Sequence, residues 1–287
     1  MRIVRTVAAV REALAPERAA GRTIALVPTM GAFHAGHEAL MRAAREAADV
    51  VVVSLFVNPA QFDEGADLGA YPRDEARDAT VAGAAGVDLL FAPADEEIYP
   101  PGFATVVQVG GPAETLEGAE RGPGHFAGVA TVVTKLLAIV APDVVLFGQK
   151  DAQQLAVIRR LVGDLNLPVR IEAVPTVREP DGLALSSRNV RLGDEDRERA
   201  LALRDALREA ERANAAGRRD PAAVREAALR AMAARAVEPE YVALVDPETF
   251  SPLDAVNGRT LVAVAARVGD VRLIDNSLIS SPNKEAP

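Results

Sequence analysis

The 287-residue sequence contains no cysteine and no tryptophan, and only 4% of its residues are aromatic. Without a thiol there is no disulfide, no thiolate nucleophile and no cysteine-held zinc or iron–sulfur site. No apolar stretch reaches the roughly 18 residues of a membrane span, and the first residues lack the long apolar core of a secretory leader. A cytoplasmic protein with no membrane partner is therefore expected. The formal charge of −9 argues against a nucleic-acid partner, because neutralising phosphates needs clustered Lys and Arg. Three signature loops are also missing: the P-loop G-x-x-x-x-G-K-[ST], a G-x-G-x-x-G after the first strand, and the nucleophile elbow G-x-S-x-G. Lysine is scarce as well. Of 32 basic residues only Lys135, Lys150 and Lys284 are lysines, leaving 29 arginines. A lysine kept in such a background points to a place where a compact point charge matters. Lys284 sits in a polar tail that reads as disordered, which leaves Lys150 as the one of interest.

What is present is an alternation of apolar β-rich runs with helical patterns. Strands are expected near 23–28, 50–57, 88–92, 143–147 and 169–174, and helices near 6–20, 37–48, 73–85, 127–141 and 151–165. Continuous runs such as Val50-Val51-Val52-Val53-Ser54-Leu55-Phe56-Val57 suit strands buried on both faces of a parallel sheet. The rhythm predicts a Rossmann-like, doubly wound α/β domain over residues 1–176. Residues 93–126 are rich in Pro and Gly, with Thr105-Val106-Val107-Gln108-Val109 as one extra strand. Beyond 176 the pattern changes to a helix from Glu195 to Ala215 with Asp194 as its cap and a second helix after Asp220-Pro221. Strands follow at 240–245, 260–267 and 270–276. This predicts a smaller α+β domain over 177–287.

Two histidines, His34 and His37, stand three apart in Met30-Gly31-Ala32-Phe33-His34-Ala35-Gly36-His37, directly after the first strand. Residues three apart share a helix face. A helix start beyond the carboxyl end of a strand offers free N–H groups and a positive dipole end to phosphates. A nucleotide site follows, with a helix cap, a core pair or a metal site as the alternatives. Gly148-Gln149-Lys150-Asp151 follows another strand. There the Lys150 ammonium would lie beside phosphates and the Asp151 carboxylate on ribose hydroxyls; a glycine turn with a surface ion pair is the plainer reading. Leu185-Ser186-Ser187-Arg188-Asn189 could clamp a pyrophosphate, or be an ordinary polar turn. Asn58-Pro59-Ala60-Gln61-Phe62 ends a strand and exposes an amide to a polar ligand, or simply turns. Gly118 to Gly128, around His125-Phe126, is either a mobile lid or a surface loop.

Six segments in chain order resemble the pantoate–β-alanine ligase family: Pro28 to His37, Phe56 to Phe62, Tyr71-Pro72-Arg73, Gly148 to Gln154, Pro175 to Glu179, and Asp181 to Asn189. The resemblance implies an H-x-G-H nucleotidyltransferase and a homodimer. It implies ATP-dependent joining of (R)-pantoate to β-alanine through a pantoyl-adenylate, with AMP and pyrophosphate released and Mg²⁺ bridging phosphates. Carried over by position, His34, His37, Lys150, Ser186, Ser187 and Arg188 meet the ATP phosphates, with His37, His34 and Lys150 catalytic. Met30, Gly31, Gly148, Asp151, Val177 and Leu185 complete the nucleotide site. Gln61 and Gln154 hold pantoate between apolar walls that include Phe56, Val129, Val132 and Val133. Two positions depart from the family pattern: Gly122 stands between Arg121 and Pro123, and Ala152 replaces an aromatic. Another H-x-G-H adenylyltransferase acting on a different acceptor is the alternative. A nucleotide-sensing module without chemistry is a further one, against which His37, Lys150 and the Ser-Ser-Arg trio speak.

Overall fold

A computed structural model describes residues 1–62, 68, 69 and 71–280; Lys284 and the polar tail lie outside the described residues. Six strands form one parallel sheet: β1 (Arg2–Val4), β2 (Ile24–Thr29), β3 (Val50–Leu55), β4 (Leu89–Phe91), β5 (Val144–Gly148) and β6 (Arg170–Val174). Their order across the sheet is β1-β4-β3-β2-β5-β6. Leu26 of β2 pairs with Val52 of β3 on one side and Val145 of β5 on the other. Winding runs outward from β2 through β3 and β4, then restarts at β5, so the switch point lies between β2 and β5. In such sheets the crevice beyond the carboxyl ends at that point is where ligands bind. The central strands are apolar on both faces because helices cover both: Ala25, Leu26, Val27, Val51, Val52 and Val53 are all fully buried. Short β1 escaped sequence reading because three residues carry no periodicity.

Helices α1 (Val7–Ala19), α2 (Ala35–Ala47), α3 (Glu75–Ala84), α4 (Asp95–Ile98), α5 (Glu117–Arg121), α6 (Pro123–Val140) and α7 (Ala152–Asp164) accompany the sheet. By length and composition α6 could cross a membrane, yet 67% of it is buried inside the protein. It is a core helix. Three expectations need correcting here. Thr105–Val109 is no strand; it joins no sheet, and the Val107 N–H is taken by the Thr131 hydroxyl at 2.9 Å. Gly118–Gly128 is not a loop, since it forms α5 and the first turn and a half of α6. Gly122 separates the two helices at φ +81°, a conformation open to glycine, and Pro123 starts α6 at a position that needs no N–H. Finally, α8 (Asp194–Ala215) is capped by Gly193, so Asp194 is its first helical residue, where a carboxylate still favours the positive dipole end.

The chain divides into two compact units, Met1–Gln149 with Val157–Pro175, and Lys150–Ala156 with Thr176–Pro287. The second unit packs α8 and α9 (Pro221–Ala234) on an antiparallel sheet of β7 (Pro239–Val245), β8 (Arg259–Val268) and β9 (Val271–Ser280). Small side chains on α8 (Ala200, Ala206, Ala210) let it approach α9 and the sheet residues Val242, Val262 and Val264, and all are buried. Asp220 caps α9, accepting the Ala222 N–H at 3.0 Å.

Candidate active site

The turn from β2 into α2 carries the two histidines and is held from below. Asp78 of α3 is 1% exposed. Its two oxygens accept the N–H groups of Ala32 and Phe33, each at 2.8 Å. Gly31 sits at φ +91°, and a Cβ there would lie 2.7 Å from Leu55 and 2.9 Å from the Asp78 carboxylate. Glycine is required on both counts. Phe33 anchors the turn in the core at 1% exposure.

His34 is the N-cap of α2, and its Nδ1 accepts the Gly36 N–H at 3.1 Å. His37 reaches back, its Nδ1 accepting the His34 N–H at 3.3 Å. The pair thus forms a capping box made of imidazoles. The rings lie against one another, centroids 4.2 Å apart and tilted by 44°. A neutral imidazole that accepts at Nδ1 carries its proton on Nε2. Each ring can therefore donate from Nε2 beside the helix N-terminus, where anions are favoured. A helix cap was one alternative reading of these residues, and the structure shows that cap.

On the same carboxyl edge, Asn58 precedes a 3₁₀ turn, Pro59–Gln61. Asn58 is 1% exposed; its Nδ2 donates to Gln61 Oε1 at 2.9 Å and to the Gly128 carbonyl at 3.2 Å. Its Oδ1 accepts the Tyr99 hydroxyl at 2.7 Å. Burial, with Asp95 adding to it, pushes the Tyr99 phenol up to about 12. The His125 ring bonds the Gln61 carbonyl through Nδ1 at 2.9 Å. Gly128 of α6 has no room for a Cβ, which would fall 2.2 Å from the Ala60 carbonyl oxygen. Phe56, Val129, Val132 and Val133 are nearly fully buried. A cavity of about 540 Å³ is lined by Ala60, Tyr99, Phe103, Val106, Gly128 and Thr131, with further residues; none of the four expected apolar walls lines it.

In the second unit Lys150 and Asp151 share a 3₁₀ turn, Gln149–Asp151, with Nζ and Oδ1 3.7 Å apart. The Asp151 side chain is half exposed, whereas Lys150 retains 20%. Asn276 of β9 donates to the Lys150 carbonyl at 2.8 Å. Gly148, at the end of β5, has nothing within 4 Å of where a Cβ would sit. Gln154 follows at the start of α7, partly buried.

The Ser186-Ser187-Arg188 loop rests on ion pairs that sequence reading missed. Arg178 forms a two-pronged pair with buried Asp275, at 2.6 and 2.9 Å, and also bonds the Gly182 carbonyl. Arg197 joins Glu179 and Asp181, both at 2.6 Å. The bond from Arg197 holds the Glu179 carboxyl below its usual range, and Asn189 adds to it. Burial pushes Asp181 up, but the Leu183 N–H and Arg197 together hold it lower. Val177 and Leu185 face each other across this hairpin, the Leu185 N–H bonding the Val177 carbonyl at 3.0 Å. Ser186 Oγ accepts the Arg188 N–H at 3.2 Å.

Sequence reading quoted Asn58 and Arg178 within motifs without giving them a role, and it missed Asp78, Tyr99 and Asp275. An acid on the buried side of an amphipathic helix is the signal that could have found Asp78. The other four depend on contacts 40 or more residues apart. Among the described residues no group of three His, Cys, Asp or Glu side chains gathers to hold a metal.

Comparisons agree along nearly the whole length. The family model described as Pantoate-beta-alanine ligase matches residues 2–278. The chain is 52% identical over 280 residues to a pantothenate synthetase of Moorella thermoacetica, covering 97% of this chain and 99% of that one. The crystal structure of pantothenate synthetase from Thermus thermophilus superposes with a TM-score of 0.91 at 49% identity, covering 96% of this chain and 99% of that one. The pantoate-beta-alanine ligase of Francisella tularensis, in complex with beta-gamma ATP and beta-alanine, matches with a TM-score of 0.79 at 35% identity over 97% of both chains.

Proposed function

The chain belongs to the pantoate-beta-alanine ligase family, and from that premise we propose how its own residues divide the reaction. It is a ligase that uses ATP to join pantoate to β-alanine, giving pantothenate. In the first step the pantoate carboxylate attacks the α-phosphorus of ATP; a pantoyl-adenylate forms and pyrophosphate leaves. In the second, the amine of β-alanine attacks the acyl carbon and AMP leaves. Neither step needs a protein nucleophile, in keeping with a chain that has no cysteine.

The first step gathers negative charge on phosphate oxygens, and preorganised donors are the efficient answer to that. His34 and His37 donate from Nε2, beside the N-terminus of α2. Lys150 adds a point charge, and Ser186, Ser187 and Arg188 take the departing pyrophosphate. Met30, Gly31, Gly148, Asp151, Val177 and Leu185 receive the nucleoside side, with the Asp151 carboxylate on ribose hydroxyls. Gln61 and Gln154 bind pantoate, and Phe56, Val129, Val132 and Val133 form the apolar surroundings of its dimethyl group. Holding carboxylate and α-phosphate together makes the attack effectively unimolecular. Mg²⁺ entering with ATP would supply charge neutralisation at the phosphates, beside the donors of His34, His37 and Lys150. The protein acts as a cytoplasmic homodimer, with neither nucleic acid nor membrane as partner.

The observation that carries this reading is the imidazole capping box, which places two Nε2–H donors at one helix N-terminus beyond β2. The test is AMP release in the full chain with each substrate omitted in turn. Release should require ATP, pantoate and β-alanine together at steady state, and should fall about 100-fold or more in His37→Ala. Release that ignores pantoate would refute the assignment.

A further inference from the structure

Every polar atom of the Asn58 side chain is committed, and the commitments fix which way round its amide sits. Nδ2 donates to the Gly128 carbonyl at 3.2 Å, and Oδ1 accepts the Ala60 N–H at 3.4 Å. Backbone groups do not exchange donor and acceptor roles, so these contacts exclude the flipped amide. The second Nδ2 hydrogen goes to Gln61, which must then present Oε1. The second lone pair of Oδ1 takes the Tyr99 hydroxyl, which must donate. Hydrogen-bond direction thus runs one way, from Tyr99 through Asn58 to Gln61, and turns the Gln61 Nε2 hydrogens away from Asn58.

We propose that Tyr99 is a positioning residue that, by steadying the Asn58 amide its backbone contacts have oriented, keeps Gln61 turned to donate toward the carboxylate or hydroxyl oxygens of the acid substrate. The proposal rests on the assignment of Gln61 to pantoate and deepens it. The Tyr99 ring is fixed by its neighbours: Phe56 and Phe103 lie 6.1 and 5.1 Å away, and the Lys135 ammonium 5.9 Å from the ring centre. Swinging the hydroxyl off Asn58 would break these packed contacts. Asn58 is buried, so losing the hydroxyl leaves an acceptor short of a partner and loosens the amide that orients Gln61. A Gln61 that turns its Nε2 hydrogens toward the ligand, with Oε1 engaged by Asn58, favours an oxygen-bearing acid over a ligand that presents its own N–H there.

Steady-state kinetics of Tyr99→Phe in the full chain test this, because the substitution keeps the ring and removes only the hydroxyl. The KM for pantoate should rise about 5- to 20-fold, the effect of one well-placed hydrogen bond. The kcat should stay within about twofold, and the KM values for ATP and β-alanine should not move. In a Gln61→Ala background the same substitution should add nothing, since the two act as a unit. Gln61→Glu should impair pantoate binding more than Gln61→Ala, because a carboxylate offers only acceptors. An equal rise in KM in the Gln61→Ala background, or a shift in all three KM values, overturns the proposal. If Gln61→Ala itself leaves the pantoate KM unchanged, the underlying pantoate assignment falls first. Should Tyr99→Phe fold poorly, Gln61→Glu and Gln61→Ala are compared by themselves, and equal pantoate KM values in the two overturn the proposal.

Discussion

Asp78 Oδ1 accepts the backbone N–H of Phe33 at 2.8 Å, and through that bond a buried acid on α3 holds the turn that delivers both histidines. Its other oxygen takes the N–H of Ala32, so one side chain serves two consecutive backbone donors that have turned away from β2. Removing it takes the partner from the buried Phe33 N–H and the part-buried Ala32 N–H. Asp78→Ala should cost about 2–4 kcal/mol of stability, read as a fall in the midpoint of denaturant unfolding, and should lower activity as the turn loosens. An unchanged midpoint would show that the turn holds itself.

His34 has two duties that different substitutions separate. Its Nδ1 caps α2, and its Nε2–H is assigned to phosphate. His34→Ala should lose the cap, at about 1 kcal/mol, as well as the activity. Asparagine is among the best N-caps, so His34→Asn should recover stability and stay slow. Full activity in His34→Asn would mean that the imidazole matters only as a cap.

Lys150→Ala should slow adenylate formation by about 100-fold or more, in line with losing a charge-stabilising donor. Thermal unfolding should move little, because the ammonium's 3.7 Å pairing with half-exposed Asp151 contributes almost nothing to stability. Near-normal turnover would remove Lys150 from the chemistry.

The loop under Ser186 should respond to acid. Arg197 holds the Glu179 carboxyl below its ordinary value of 4.5, and against burial the Leu183 N–H and Arg197 together hold Asp181 below 3.8. A carboxyl whose folded value is depressed adds stability above its unfolded value and loses it as pH falls through the folded one. Stability should therefore decline as pH drops below about 4.5, and Arg197→Gln should flatten that decline while leaving the neutral side sloped as before. Urea midpoints measured from about pH 3 to about pH 7, a span that takes in the ordinary carboxylate values, check it. Parallel acid limbs in the two proteins would refute the network.

The parallel sheet was legible because its strands are nearly continuous apolar runs; Val50–Val53 admits little else. The histidine pair and Lys150 were legible because they immediately follow such strands. Thr105–Val109 misled for a physical reason. Its β-branched composition promises a strand, but a strand needs a neighbour, and here one N–H goes to a threonine hydroxyl instead. Gly118–Gly128 misled in the opposite sense, since glycines that read as a loop include Gly128, required for α6 to touch Ala60. Arg178 and Asp275, 97 residues apart, make a pair that no local pattern predicts. The places of the candidate residues at strand ends could be read from their neighbours in the chain, whereas the residues that hold them in place could not.

The central claim, that pantoate is activated as an adenylate before the amine arrives, is tested most directly by ATP–pyrophosphate exchange with pantoate present and β-alanine absent. Labelled pyrophosphate should enter ATP only when pantoate is added, and His37→Ala and Lys150→Ala should suppress the exchange by about 100-fold. Exchange without pantoate, or no exchange from a protein that releases AMP normally when β-alanine is also supplied, would contradict a free-standing adenylate step.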